Sequence, residues 1–124
     1  MQTLIQNAVR IIDGTGDTLE GHDLLIDGER IERVAPKGEF DGYAGERIDA
    51  AGASLLPGII DCHVHLCYAG EGNPGRAVED MAPGQIAVRA LANATTTLRG
   101  GTTSVRDCGG VDYLEFRSEE HTSE

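Results

Sequence analysis

Short apolar runs separated by glycine-rich turns fill the first part of the chain, and this pattern predicts brief β-strands. Segments 23–26 and 30–34 flank Asp27-Gly28, a dipeptide typical of a two-residue hairpin turn, so these segments are expected to pair. Two further brief strands are expected at 47–49 and 54–56. The first strand region contains the apolar residues Leu4, Ile5, Val9, Ile11 and Ile12.

The second part of the chain predicts a strand, a loop, a helix and a second strand. The stretch Leu55–Leu66 passes through a Pro-Gly turn into a short strand, and residues 102–106 form the other strand. Between them, a loop at 67–81 precedes a helix expected to begin at Pro83 and end at Gly100-Gly101. Such a unit is expected to be parallel with a right-handed crossover. One apolar stripe on the helix is expected from Ile86, Ala90, Leu91, Ala94 and Leu98.

The first of these strands carries the residues with the clearest chemistry. Because successive strand side chains alternate between faces, Asp61, His63 and His65 are expected on one face. Two imidazoles on one rigid strand can hold a single divalent metal ion. The alternative is a buried strand with two hydrogen-bonded histidines.

Residues 57–65, Pro-Gly-Ile-Ile-Asp-Cys-His-Val-His, resemble the Pro-Gly-x-Ile-Asp-x-His-x-His motif of the amidohydrolase superfamily. The resemblance implies the first strand of a TIM (β/α)₈ barrel, with His63 and His65 as metal ligands and Asp61 as a supporting residue. Residues 101–110 resemble the second barrel strand of the branch that includes imidazolonepropionase-like and Xaa-Pro dipeptidase-like enzymes.

Two charged residues end that second strand. Active sites of such barrels lie at the carboxyl ends of the strands, so Arg106 and Asp107 are expected near the mouth of the barrel. Either is a candidate for contact with substrate. A structural salt bridge between them is the alternative.

The resemblance divides residues 1–116 of the α/β chain into two segments. Residues 1–56 are expected to be part of a small β-sandwich, and 57–116 the first βαβ part of a barrel. A complete barrel needs roughly 250 residues, so 124 residues are expected to be an incomplete fragment that folds poorly, binds metal weakly and is inactive alone. Residues 117–124, Arg-Ser-Glu-Glu-His-Thr-Ser-Glu, match the translation of a common sequencing-library adapter and are expected to be an artefact.

By resemblance, the full-length enzyme hydrolyses a carbon–nitrogen bond in an amide, a cyclic amide or a small dipeptide through a metal-activated water. The implied cofactor is a divalent metal, with zinc as the expected ion and one or two ions in the full-length enzyme, and the implied partner is a small-molecule substrate. The family's other site groups, a lysine or glutamate, two histidines and an aspartate, belong to later strands. The resemblance leaves homo-oligomerisation of the full-length form open.

Three other functions fit parts of the sequence. One is a one-metal deaminase of the same superfamily, and another is a non-catalytic β-rich binding module. The third is a dinucleotide-binding turn, because residues 70–75 match G-x-G-x-x-G. Against it, Pro74 and Pro83 are expected to place the helix start well after the third glycine, and 89–94 contain no acid.

Net charge and cysteine content limit the classes of binding partner and the cellular location that fit the sequence. A net charge of −11 argues against nucleic acid and anionic membrane surfaces, since both attract basic faces. There is no apolar run long enough to span a membrane and no pattern of a secretory signal. Three cysteines without C-x-x-C spacing favour a reducing, cytoplasmic setting. Asn93-Ala94-Thr95 therefore reads as a chance match to a glycosylation site.

Overall fold

A computed structural model describes residues 1–112 of the chain. The chain divides into two compact units, Met1–Pro57 and a second unit that begins at Gly58. The segment 117–124, for which an adapter origin is expected, lies outside the described residues. The described part is mixed α/β with mostly strands, as predicted for the fold class.

The first unit is built from strands joined by short turns. In chain order they are β1 (Gln2–Gln6), β2 (Arg10–Ile12), β3 (Thr18–Glu20), β4 (His22–Asp27), β5 (Arg30–Pro36), β6 (Glu46–Asp49) and β7 (Ser54–Leu55). One sheet has the order β5-β4-β1-β6, and the other has the order β3-β2-β7. Strand β1 pairs antiparallel with β4 and parallel with β6.

A shared apolar core joins the two sheets of this unit. Its buried members Ala8, Ile11 and Leu24 come from both sheets and the turn between them. Partly buried side chains complete the cluster: Ile5, Leu19, Ile26, Val34, Ala50 and Leu55. The apolar positions of these strands therefore lie in the core, as expected for sheets with one buried face.

The predicted hairpin is confirmed, but its turn lies one residue later than expected. Asp27 remains in β4 and pairs with Arg30, so the two loop residues are Gly28 and Glu29. Gly28 has φ of 58°, whereas Glu29 is not among the residues with positive φ. This is the pattern of a turn that needs glycine only at its first central position. Strand β3 was not predicted, because Leu19 is its single apolar residue and one residue cannot show the alternation of apolar and polar positions.

The second unit contains the predicted strand–helix–strand arrangement. Strand β8 (Ile59–Val64) pairs in parallel with β9 (Thr102–Asp107). Helix α2 (Pro83–Arg99) connects them, with proline in its first turn and Gly100 at its C-cap, as predicted. The following glycine, Gly101, takes φ of 97°, which ends the helix in a conformation that side chains with a Cβ rarely adopt.

The predicted loop at 67–81 contains a short helix, α1 (Pro74–Glu79). It begins because the Asn73 side chain accepts a hydrogen bond from the amide of Arg76, and because proline suits the first helical position. The expectation that no helix starts until well after Gly75 is therefore wrong. Among the described residues, no helix is long and apolar enough to cross a membrane.

The expected apolar stripe on α2 is split between two faces. Ile86 and Ala90 are buried with Cys67 and Val78 in the core of the second unit. Leu91 lies five residues after Ile86, which places it about 140° further round the helix at 3.6 residues per turn. It is 66% exposed, on the outer side with the equally exposed Val88 and Leu98.

Candidate metal centre

The histidines of the motif lie together at the carboxyl end of β8. His63 lies within the strand, and His65 directly follows Val64, the last residue of the strand. Their Nε2 atoms are 3.3 Å apart, with the rings edge to face at a centroid distance of 5.2 Å. Both residues are exposed. The two imidazoles therefore present their outer nitrogens to one point.

The backbone of a neighbouring loop fixes the orientation of the His65 ring. Its Nδ1 lies 2.7 Å from the carbonyl oxygen of Gly109. A carbonyl oxygen can only accept, so Nδ1 carries the proton and donates it. In the neutral ring, Nε2 then has its lone pair free to bind a metal ion.

The distance between the two nitrogens fits the expected metal. Zinc binds histidine nitrogen at about 2.0–2.1 Å, and two such ligands of one tetrahedral ion lie roughly 3.3 Å apart. The structure also records this pair as a hydrogen-bond contact between the rings, so the spacing is compatible with both arrangements. Metal binding by His63 and His65 stays a prediction.

This pair alone is short of a complete catalytic site. Within residues 1–112, no group of three or more His, Cys, Asp or Glu side chains could hold a metal ion. Catalytic zinc ions usually have three protein ligands. The histidine pair is therefore not part of a three-ligand set of these residue types within residues 1–112.

Asp61 contacts the histidine pair through the main chain. Its Oδ1 accepts a hydrogen bond from the amide of His63 at 3.0 Å. The carboxylate therefore stabilises the backbone that carries the first histidine. The supporting role of Asp61 stays a prediction. The hydrogen bond from the His63 amide is consistent with it.

The two charged residues at the end of β9 make contacts with the backbone. Arg106 donates from Nε to the carbonyl of Cys62 at 2.7 Å. Asp107 accepts the amide of Leu66 at 3.1 Å and the amide of Gly109 at 2.9 Å. In the part of the chain that the structure describes, Arg106 and Asp107 form no salt bridge with each other, so that alternative is wrong. Substrate contact by either residue stays a prediction.

Asn93 anchors the segment that follows His65. Its Nδ2 donates to the carbonyls of Leu66, at 2.7 Å, and Tyr68, at 2.9 Å. This contact could not be predicted from local patterns, because it joins residues far apart in the chain. It also commits the amide nitrogen that glycosylation would modify. The Tyr68 ring lies 5.9 Å from the His65 ring.

The G-x-G-x-x-G segment is tied to helix α2 by an ion pair. Glu71 pairs with Arg89 and also accepts the amide of Ala69 at 2.8 Å. Both charged side chains are about a quarter exposed. A carboxylate within this turn would repel an anionic phosphate, which is a further argument against a dinucleotide site.

The sequence itself also matches a known family over the part that contains this site. Residues 54–120 match the profile of the "Amidohydrolase family", a stretch that covers more than half of the chain. This chain belongs to the amidohydrolase family. The predicted resemblance is thereby confirmed.

Relatives within the family show which branch is similar. The imidazolonepropionase of Arthrobacter sp. (strain FB24) is 32% identical over 95% of this chain. The adenine deaminase of Ruegeria sp. (strain TM1040) is 28% identical over 95% of it. A crystal structure of a prolidase complexed with N-methylphosphonate-L-proline is 35% identical over 97% of the chain, with a TM-score of 0.77.

The chain corresponds to only part of each relative. It covers 32% of the imidazolonepropionase, 18% of the adenine deaminase and 29% of the prolidase. It therefore spans about a third or less of the proteins that it matches.

Proposed function

We propose that the full-length protein is a metal-dependent hydrolase of carbon–nitrogen bonds in amides, cyclic amides or small dipeptides. This chain would contribute the first two strands of its barrel and two of its metal ligands, His63 and His65. The observation that carries the proposal is the 3.3 Å spacing of the two Nε2 atoms at a strand end. Membership of the amidohydrolase family supports it.

The residues of this chain would position the reacting groups. A divalent ion such as zinc lowers the pKa of a bound water to about 7 and polarises a carbonyl oxygen. His63 and His65 would hold that ion, and the Gly109 carbonyl would keep the proton of His65 on Nδ1. Asp61 would keep the His63 backbone in place through its amide. The group that moves the proton to the leaving nitrogen would come from another strand.

The proposed fold is a TIM barrel that begins at the second unit. In this proposal residues 1–56 belong to a β-sandwich and 57–116 to the first βαβ part of the barrel. The parallel pairing of β8 and β9 across a helix is the arrangement such a barrel repeats. Ile59 and Ile60 are 57% and 70% exposed. Strands of parallel sheets are normally covered on both faces, so these side chains suit contact with further barrel elements.

A one-metal deaminase is the second candidate, because one relative is an adenine deaminase. The two reactions differ in their products. A deaminase releases ammonia, whereas an amide or dipeptide hydrolase releases a carboxylate and an amine or opens a ring. A later barrel lysine would favour a two-metal hydrolase.

Activity with defined substrates tests this proposal. The full-length protein, loaded with zinc, should hydrolyse a member of a panel of cyclic amides and Xaa-Pro dipeptides, and a chelator should abolish this activity. Re-addition of zinc should restore it. Ammonia release from purines instead would support the deaminase. No turnover and no zinc binding would support the non-catalytic module. The cytoplasmic location stays a prediction based on cysteine use.

A further inference from the structure

We propose that Asp107 is a positioning residue that holds His65 in its metal-binding tautomer through the Gly109 loop. This inference rests on the proposed function, because it assigns His65 a metal to bind. It gives Asp107 a role that does not require contact with substrate. The carboxylate would act through two backbone amides, those of Leu66 and Gly109.

The first contact is with the residue that receives the His65 proton. Asp107 Oδ1 accepts the amide of Gly109 at 2.9 Å. The carbonyl of the same residue accepts the Nδ1 proton of His65 at 2.7 Å. Gly109 has φ of 126°, a conformation that other residues rarely adopt, and the Asp107 carboxylate holds this residue at its amide.

The second contact is with the residue that follows His65. Asp107 Oδ2 accepts the amide of Leu66 at 3.1 Å. One carboxylate therefore fixes the main chain of His65 and the acceptor of its ring proton together. An ionised carboxylate can accept at both oxygens, whereas an asparagine has one acceptor oxygen and an amide that only donates. Asparagine at 107 would have to release one of the two amides.

The chain offers a matched control at the end of β6. Asp49 Oδ1 accepts the amide of Ala51 at 2.9 Å, the same two-residue spacing that joins Asp107 to Gly109. Asp49 belongs to the first unit, whereas the histidine pair belongs to the second. Asp49→Asn therefore makes the same chemical change in the same kind of turn, outside the proposed site.

The first readout is the tautomer of His65, measured by ¹⁵N NMR of histidine-labelled full-length protein without metal. Wild type and Asp49→Asn should show the proton on Nδ1. Asp107→Asn should shift a measurable fraction to the Nε2–H form. Gly109→Ala should do the same without altering Asp107, because a Cβ there meets nothing within 4 Å and acts through backbone strain. An unchanged tautomer in folded Asp107→Asn and Gly109→Ala would overturn the inference.

The second readout is the zinc dissociation constant, measured by competition with a chromophoric chelator. Loss of a group that orients a metal-binding histidine costs about 10–100-fold in affinity, and this is the weakening expected for Asp107→Asn. Asp49→Asn should bind zinc as wild type does. If wild type binds no zinc, the proposed function fails, and the tautomer result still decides the role of Asp107. If wild type binds zinc and Asp107→Asn binds equally well, the inference alone fails.

Discussion

Gly58, the glycine of the Pro-Gly turn, directly precedes β8 and lies against Thr103 of β9. A Cβ built on Gly58 would lie 2.6 Å from the Cβ of Thr103 and closer still to its Oγ1 and Cγ2. Carbon atoms at that separation repel strongly. Because the Thr103 Cβ is fixed to the backbone, rotation of the side chain cannot remove the clash. The Gly58→Ala substitution must therefore push the two strands apart.

The expected cost follows from this overlap. One extra methyl group in a well-packed contact typically costs about 1–3 kcal/mol. The urea dependence of unfolding increases with protein size and exceeds about 2 kcal/mol per M for a protein of this length, so a loss of about 2 kcal/mol lowers the unfolding midpoint by less than about 1 M. The measurement is urea unfolding of the full-length protein, followed by circular dichroism. Since these strands carry His63 and Asp107, zinc affinity should fall in parallel.

Two further variants distinguish the effect of the clash from the effect of replacing a glycine by alanine. Gly72 has no atom within 4 Å of an added Cβ and no positive φ, so Gly72→Ala should change stability by less than about 0.5 kcal/mol. Thr103→Gly in the Gly58→Ala background removes the overlapping side chain and should recover part of the loss. The reasoning is refuted if Gly58→Ala is as mild as Gly72→Ala.

Two other predictions concern charged groups. A double-mutant cycle of Glu71→Gln and Arg89→Met, measured by urea unfolding, should give more coupling than the 0.2–1 kcal/mol of exposed pairs, because this pair is three-quarters buried. Equal or smaller coupling would contradict this. Hydrogen bonds from the Ala51 amide and Asn7 lower the pKa of Asp49 from 3.8. Its contribution to stability is therefore present above that value and lost as pH falls through the lowered pKa. Asp49→Asn should reduce the fall in the free energy of unfolding at acidic pH. An unchanged pH dependence would contradict this prediction.

Much of the fold could be predicted from local signals in the sequence. The hairpin around Gly28, the limits of helix α2 and the parallel pair of β8 and β9 each depend on turn residues, caps or periodicity within a few positions. Helix α1 was missed because six residues between two prolines carry too little periodicity. Leu91 and Leu98 were predicted to share one apolar stripe with Ile86 because they are apolar, although their angular position separates them from it.

The arrangement around the histidines could be predicted only in part. The spacing of His63 and His65 in the motif indicated one shared ion, since both belong to one short segment. The anchors of that pair could not be predicted, because they join residues distant in sequence. Asp107 reaches Leu66 across 41 positions, and Asn93 reaches the same residue across 27. The acceptor for the His65 ring is a backbone carbonyl. Since every residue has one, the residue type does not indicate this contact.

The central claim is that His63 and His65 bind one metal ion together. The most direct measurement is a zinc titration of the full-length protein and of three histidine-to-alanine variants. His63→Ala and His65→Ala should each weaken binding by more than the roughly 100-fold upper cost of losing a supporting hydrogen bond. His22→Ala should not, because His22 lies in β4 of the first unit. Equal zinc affinity in all three variants would contradict the account.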